Sequence, residues 1–266
     1  MRVMSSVHQI LQDPVEAYHK AVSQWHERDD PGDTPCEYII DENWRQRIGV
    51  SSADRERTDR ECRWIEATLA AKGIRPGPES YLFWNDGDPA FLQAIWCLIQ
   101  RLNAAKVVET GVAHGVTTRI ILEALNGRGH LWSVDLPPVW APEVHREIGA
   151  AVGDRSVDQW SLIFGSSRRR LPRLLPRIAP IDLFIHDSHH SRYNMLFEMK
   201  MAWTALRPGG AMIVDDIDLN QAFAEFTQSV CCERLICEAE PIRPDERRFN
   251  GKGVFGILLK PDDLEA

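Results

Sequence analysis

Short apolar runs alternate with helix-like segments along the chain from about residue 88 onwards. Such runs predict buried strands, because consecutive apolar residues without polar alternation are typical of a sheet covered on both faces. The runs lie at Lys106–Glu109, His130–Val134, Trp160–Phe164, Ile181–Ile185 and Ala211–Val214. Between them apolar residues recur at helical spacing, and the pair Asp88-Pro89 predicts the start of a helix that runs to Leu102. Strands separated by helices predict a doubly wound, mostly parallel α/β sheet.

The last part of the chain predicts a different kind of strand pairing. Two more apolar runs, Arg234–Glu238 and Val254–Leu259, flank a polar, turn-rich loop. They predict an antiparallel hairpin at the sheet edge, which gives seven strands in all. The segment Leu206–Gly210 contains Pro-Gly-Gly and follows a helical pattern, so it predicts a turn before the fifth strand.

Residues 1–88 predict a helical extension. Continuous apolar sequence is scarce there, and charges of both signs at helical spacing in residues 54–61 predict the solvated face of a helix that begins after Ser51 or Ser52. We therefore divide the chain into this extension and a domain at 89–266. The extension is expected to form a lid over a substrate site, a contact in a homo-oligomer, or a simple packing layer.

Composition narrows the classes of protein and partner. The chain has 266 residues, of which 44% are hydrophobic, enough to bury a core without disulfides or metal staples. No apolar run approaches the ~20 residues of a membrane span, and the N-terminus lacks the apolar stretch of a secretion signal. The six cysteines have no framework spacing, and the formal net charge of −8 disfavours nucleic acid. We expect a cytoplasmic protein that acts on a small molecule.

A glycine-containing turn follows the first predicted strand. In the segment Glu109–Thr117, Gly111 and Gly115 allow a tight turn and a close approach to a ligand. Their spacing is GxxxG, which differs from the GxGxxG of dinucleotide-binding turns. Thr117 lies at the start of the next helix, where free N–H groups and a hydroxyl suit a carboxylate. A purely structural turn is the alternative.

The second and third strands also end in polar residues. An acidic side chain such as Asp135, at the end of the second strand, can accept hydrogen bonds from the two hydroxyls of a ribose. The alternative is a helix cap. Gly165-Ser166, after the third strand, is a small polar corner that fits the edge of a base, or an ordinary turn.

The fourth and fifth strands predict a catalytic centre. Asp187 and His190 follow the fourth strand, and Asp215 and Asp216 follow the fifth. Carboxylates held this close repel one another, which favours a bound cation, and oxygen ligands suit Mg²⁺, or else Mn²⁺ or Ca²⁺. His190 lies three residues after Asp187, and an imidazole that titrates near neutrality suits a base for a substrate hydroxyl. Turn caps and a surface histidine are the alternatives.

Taken together and in this order, the motifs resemble those of the class I S-adenosylmethionine-dependent methyltransferases, over about residues 88–262. The motifs are Glu109-x-Gly111-x-x-x-Gly115-x-Thr117, Asp135, Gly165-Ser166 and the turn at Leu206–Gly210. The resemblance implies that the glycine turn holds the methionine part of the cofactor and that Glu109 orients the loop and the amino group. It further implies that Asp135 binds the ribose and Gly165-Ser166 the adenine, with Asp187 at both the cofactor and the metal.

Within that family, the catalytic end looks like the metal-dependent O-methyltransferase branch, which includes relatives of catechol O-methyltransferase and macrolide-sugar O-methyltransferases. The Asp187-x-x-His190 and Asp215-Asp216 pairs are closer to the sugar enzymes, in which a histidine is the base. The resemblance implies methyl transfer to a hydroxyl of a small molecule. A metal-independent methyltransferase, a nucleotide-dependent oxidoreductase and a non-catalytic binding or assembly protein remain alternatives, since a related group is labelled cephalosporin hydroxylase-like and a fold does not determine a reaction.

Overall fold

Helices cover both faces of a single sheet in the computed structural model, which describes residues 14–74, 88–136, 144–153, 157–238 and 253–262. The helices in these ranges are α1 Pro14–Glu27, α2 Trp44–Ile48, α3 Ser52–Ala71, α4 Pro89–Arg101, α5 Val116–Leu125, α6 Ser167–Ile178, α7 Arg192–Ala205 and α8 Ala222–Ser229. The strands are β1 Lys106–Thr110, β2 His130–Asp135, β3 Trp160–Phe164, β4 Ile181–His186, β5 Leu206–Val214, β6 Glu233–Glu238 and β7 Val254–Leu259.

The strand order is β3-β2-β1-β4-β5-β7-β6. Strands β1 to β5 are parallel, whereas β7 runs antiparallel to both β5 and β6. The predicted doubly wound seven-stranded sheet with an antiparallel hairpin at its edge is therefore confirmed. The chain moves outward from β1 in one direction and from β4 in the other, so the two strands flank the switch in strand order. Ligands of such sheets bind beyond the carboxyl ends at this point.

The predicted turn at Leu206–Gly210 is wrong, because these residues form the first part of β5. Leu206 pairs with Ile181, and the register shifts before the pairing resumes further along β5. Gly209 has a φ of +65°, and its N–H donates to the carbonyl of Lys260. Backbone hydrogen bonds to the segment that follows β7 thus keep this Pro-Gly-Gly segment in the sheet as an irregular strand.

Alternate residues of the central strands face two separate apolar layers. Val107 and Ile213 belong to the layer that includes α4 and α5, whereas Val108 and Met212 belong to the layer that includes α6 and α7. This two-sided burial explains why the strands show no polar alternation. Helix α4 is buried over 90–99, yet neither it nor any other described helix is long and apolar enough to cross a membrane.

Helices α2 and α3 share the first of these layers. Trp44 of α2 and Ile65 of α3 are buried in the same cluster as α4. Helix α3 begins as predicted, because the Ser51 side chain accepts from the Asp54 N–H and the Asp54 carboxylate accepts from the Ser51 N–H. The division of the chain at residue 88 stays a prediction, since the two parts form one continuous apolar core.

Candidate active site

The carboxyl ends of β1, β4 and β5 are aligned by backbone hydrogen bonds. The Asp187 N–H donates to the Thr110 carbonyl at 2.9 Å, and the Asp215 N–H donates to the His186 carbonyl at 3.0 Å. As a result, Asp187, His190 and Asp215 each place one potential ligand atom within 4.8 Å of the others. All three side chains are half-buried, so the cluster lies at the rim of the sheet with access to solvent.

Asp216 occupies a different position from its neighbour. It has a φ of +49° and starts the short 3₁₀ turn Ile217–Leu219. Its Oδ2 lies 3.7 Å from Nδ1 of His190. We predict Asp216 as a metal ligand from the sequence, but the closest group of potential ligands contains His190 in its place. Since the Asn220 side chain donates to the His190 carbonyl at 2.8 Å, the position of His190 is held from the β5 side as well.

The electrostatics of the cluster follow from burial and crowding. Burial, together with the charges of Asp216 and Asp187, raises the pKa of Asp215 well above its usual value. Burial, helped by the neighbouring His186 and His189, also lowers the pKa of His190 to about 4, against the opposing charge of Asp216. The imidazole is therefore neutral at physiological pH. That value lies below the near-neutral range that we assume from the sequence.

The glycine turn packs against the loop 187–190 that follows β4, called the acidic loop below. Gly111 has a φ of +85°, and a Cβ placed there would lie 1.7 Å from the Asp187 carbonyl oxygen. Gly115 has a φ of +87°, and its Cβ would lie 2.9 Å from Cα of Gly149. Thr117 donates a long hydrogen bond of 3.4 Å to Oδ2 of Asp187. Both glycines thus allow two chain segments to meet, a role that we do not predict from the sequence.

Asp135 shapes the same turn. Its Oδ2 accepts from the backbone N–H groups of Val112, at 2.7 Å, and Ala113, at 3.0 Å. These bonds hold Ala113 at a φ of +50°, which a residue with a Cβ rarely adopts. Burial raises the pKa of Asp135, and the two backbone bonds oppose that shift. Asp135 therefore has a structural role here whether or not it also binds a ribose.

Glu109 lies beneath the turn and is fully buried. Its Oε2 accepts from Thr118 at 2.8 Å and from Ser133 at 2.6 Å, whereas Oε1 has no hydrogen-bond partner among the described residues. Burial raises the pKa of Glu109 to about 8, in spite of these two hydrogen bonds. A buried carboxyl oxygen without a partner is costly, so it is suited to accept a hydrogen bond from a ligand.

The corner after β3 contacts the N-terminal helix. The Ser166 N–H donates to Oε1 of Glu16 in α1 at 3.1 Å, and the Ser166 hydroxyl is buried without a partner among the described residues. Gly165 has a φ of +133°, and a Cβ there would meet the Arg170 guanidinium. Close by, Phe164 is 44% exposed, which leaves an apolar surface beside this corner.

The other end of α1 reaches the loop after β4. Glu27 accepts from the Ser191 hydroxyl at 2.7 Å and lies 3.2 Å from Nε2 of His189. The ring of His26 stacks on Tyr193 at 4.4 Å between centroids. Helix α1 thus runs along the rim from the start of α6 to the start of α7. The sequence contains no signal for these contacts, because Glu27 and Ser191 are 164 positions apart.

Two more buried residues take part in the site or its support. Glu198 in α7 is fully buried beneath the acidic loop and accepts four side-chain hydrogen bonds. We did not single it out from the sequence, although its place between Met195 and Met199 puts a charge on the face predicted to point inward. His114, in the glycine turn, is buried against Glu147, so its role is structural.

Part of the chain matches a known family model, and its fold is similar to that of several solved structures. Residues 108–217, less than half of the chain, match the family model described as a methyltransferase domain. A search of the curated proteins finds no match. Among solved structures, the chain is similar to the O-methyltransferase TomG from Streptomyces achromogenes, determined with S-adenosylmethionine, at 16% identity and a TM-score of 0.55. The match covers 76% of this chain and 89% of TomG.

Two further solved structures are similar over most of their length. A candidate O-methyltransferase from Klebsiella pneumoniae is 15% identical with a TM-score of 0.58, over 81% of this chain and 99% of that one. An O-methyltransferase from Bacillus cereus, in complex with S-adenosylhomocysteine, is 14% identical with a TM-score of 0.53, over 90% of this chain and 97% of that one. Residues 108–217 thus match a methyltransferase-domain model, and the chain shares its fold with these three O-methyltransferase structures.

Proposed function

We propose that the protein transfers a methyl group from S-adenosylmethionine to a hydroxyl of a small molecule, with a divalent metal ion at the site. The grouping of Asp187, His190 and Asp215 at the switch in strand order is the observation that carries the proposal. The similar structures from Streptomyces achromogenes and Bacillus cereus, both named O-methyltransferases, support the same reaction. The substrate is a small molecule, and neither nucleic acid nor membrane is required as a partner.

The residues of the cluster fit a divalent cation. Two carboxylates and an imidazole within 4.8 Å of one another offer hard oxygen ligands and one nitrogen, a set that suits Mg²⁺ or Mn²⁺. We propose that Asp187 and Asp215 hold the ion. The third ligand is either His190 or Asp216, of which Asp216 is the one predicted from the sequence. If Asp216 is the ligand, His190 is the base.

The proposed cofactor site follows the rim of β1, β2 and β3. Glu109 would face the amino group with its unpartnered oxygen and would accept from it in the ionised state, and Asp135 would bind the ribose hydroxyls. Gly165 and Ser166 would contact the adenine. The Ser166 N–H can take part only if its hydrogen bond to Glu16 breaks. Gly111, Gly115 and Thr117 build the turn beside the methionine part.

When bound, S-adenosylmethionine supplies an activated methyl group, and a divalent cation supplies positive charge that favours a deprotonated hydroxyl. The chain itself aligns the acceptor and receives its proton. Nδ1 of His190 lies 3.7 Å from Asp216, whose charge stabilises the ring once it is protonated. Burial keeps the ring neutral and free to accept a proton, although a pKa of about 4 makes it a weaker base than an ordinary imidazole.

We further propose that the extension of residues 1–88 contributes a lid. Helix α1 is fixed at both ends on the rim, through Glu16 near β3 and Glu27 near β4. A helix in this position restricts water and selects acceptors by size. A contact in a homo-oligomer is the alternative role for the extension, and its exposed Tyr18 and Trp25 are compatible with either.

Calorimetry with S-adenosylhomocysteine and Mn²⁺ tests the proposal, followed by turnover assays on a panel of hydroxylated acceptors. We expect Asp187→Asn to abolish Mn²⁺ binding. The variants His190→Ala and Asp216→Ala distinguish the third metal ligand from the catalytic base. Loss of Mn²⁺ binding in one of them identifies the third ligand. Loss of turnover at unchanged Mn²⁺ affinity identifies the base.

Three results would count against the proposal. Tight binding of NAD without binding of S-adenosylhomocysteine would overturn the cofactor. Turnover that is unaffected by EDTA and by Asp187→Asn would indicate a metal-independent methyltransferase. Cofactor binding without turnover on any acceptor would indicate a binding protein.

A further inference from the structure

Glu198 is a fully buried carboxylate that accepts four side-chain hydrogen bonds. Its Oε2 accepts from the Thr110 hydroxyl at 2.5 Å and lies 2.7 Å from Nδ1 of His186. Its Oε1 accepts from the Ser188 hydroxyl at 2.8 Å and from the Asn194 amide at 2.9 Å. Four donors around two oxygens require an acceptor with no hydrogen of its own, which is the ionised carboxylate. Although burial by itself raises the pKa of Glu198, the imidazole of His186 and these hydrogen bonds hold it at about 2.

The donors come from the end of β1, from the chain around Asp187 and from the start of α7. Thr110 ends β1 immediately before Gly111, and its carbonyl accepts from the Asp187 N–H. His186 and Ser188 are the two neighbours of Asp187 along the chain. Glu198 therefore fixes the chain on both sides of Asp187 and ties it to the glycine turn.

Asn194 extends this hold to His190. Its side-chain amide donates to the carbonyl of His189 at 3.0 Å as well as to Glu198. The ring of His186 lies 5.3 Å from the ring of His190, centroid to centroid, at an interplanar angle of 83°. Because Glu198 holds Nδ1 of His186, it also fixes the orientation of the ring beside which His190 packs.

We infer that Glu198 is a positioning residue, which sets the loop 187–190 so that Asp187 and His190 meet Asp215. Glu198 acts through His186, Ser188 and Asn194 and has no direct contact with the proposed metal or substrate. The inference rests on the proposed function for its metal and turnover readouts. Residues that orient metal ligands in this way typically change metal affinity or activity by about 10–100-fold when they are substituted.

The test is Glu198→Gln, which keeps the size of the side chain and turns one acceptor into a donor. We expect Mn²⁺ affinity, measured by electron paramagnetic resonance, to fall by about 10–100-fold. Turnover should fall with it, while the affinity for S-adenosylhomocysteine changes less. Hydrogen–deuterium exchange at residues 187–190 should become faster. Unchanged Mn²⁺ affinity and unchanged exchange would overturn the inference.

Asp182→Asn is the matched control. Asp182 lies at the opposite end of β4 and accepts from the Ala105 and Lys106 N–H groups and from Arg207. Its substitution removes a well-bonded carboxylate from the same strand, so it should lower stability without changing Mn²⁺ affinity. An equal loss of affinity in both variants would show a general loss of stability and would overturn the inference.

Two outcomes need a second measurement. If Glu198→Gln does not fold, Ser188→Ala removes one donor with less disturbance, and unchanged Mn²⁺ affinity and loop exchange in that variant would overturn the inference. If the wild-type protein binds neither Mn²⁺ nor S-adenosylhomocysteine, the proposed function fails. Exchange at residues 187–190 then decides the positioning role alone: faster exchange in Glu198→Gln than in Asp182→Asn supports it, and equal exchange overturns it.

Discussion

Gly111→Ala offers a direct test of how the glycine turn is built, because Gly49 provides a control with nearly the same φ. The two glycines have φ values of +85° and +80°. Alanine in this conformation costs about 1–2 kcal/mol at either position. The surroundings differ, since a Cβ at Gly111 would lie 1.7 Å from the Asp187 carbonyl oxygen, whereas nothing lies within 4 Å of one at Gly49.

The overlap at Gly111 requires the chain at Asp187 to retreat by about 1 Å or more, and overpacking of this kind adds about 1–3 kcal/mol. We therefore expect Gly111→Ala to lower the free energy of unfolding by about 2–5 kcal/mol and Gly49→Ala by about 1–2 kcal/mol. Because a misplacement of about 1 Å can cost about 100-fold in rate, turnover should fall in Gly111→Ala alone. Urea unfolding followed by circular dichroism gives the first quantity. Equal destabilisation by the two substitutions would refute the reasoning.

Three further predictions concern other parts of the molecule. Glu109 has a pKa of about 8 in the folded chain and an ordinary value near 4.5, so the folded state holds its proton more tightly than the unfolded state. Its contribution to stability is therefore present below pH 4.5 and is lost as the pH rises to 8. Glu109→Gln should remove that part of the slope in urea unfolding at pH 5, 7 and 8.5, and parallel profiles would contradict it. Arg119→Ala should lower the unfolding free energy by about 3 kcal/mol in urea unfolding, because the buried guanidinium donates to the Val152 carbonyl and pairs with Glu123 at 2.5 Å; a loss below about 1 kcal/mol would show that the pair is not needed. Glu27→Ala should speed tryptic cleavage at Arg28, and bound S-adenosylhomocysteine should slow cleavage of the wild type if α1 is a lid.

The sheet was predictable because its strands are short and buried on both faces. The five parallel strands and the terminal hairpin were predicted from apolar runs that are too short to form buried helices. The start of β5 did not follow, because Pro208 and Gly209 are typical of turns, and only the neighbouring strands show that this segment pairs. Local sequence reports local preference, whereas pairing depends on residues far along the chain.

The grouping of the candidate site residues was predictable from the sequence, whereas the details of their surroundings were not. Asp187, His190 and Asp215 come together because parallel strands end at one edge, a rule that sequence order is enough to apply. The different placement of Asp216 was not predictable, since it depends on a left-handed backbone at the start of a 3₁₀ turn. Glu198 and Glu27 were missed for another reason, because their partners are set by how helices pack on the rim.

The contacts of α1 also constrain the order in which the chain folds. Glu16 meets Ser166 across 150 positions, and Glu27 meets Ser191 across 164. At a synthesis rate of about 5–20 residues per second, the N-terminal helix leaves the ribosome roughly 10–30 s before these partners exist. Closing loops of this length is slow compared with forming local structure. Helix α1 is therefore synthesised before either partner, and its contacts on the rim can form only after the segments around Ser166 and Ser191 have been made.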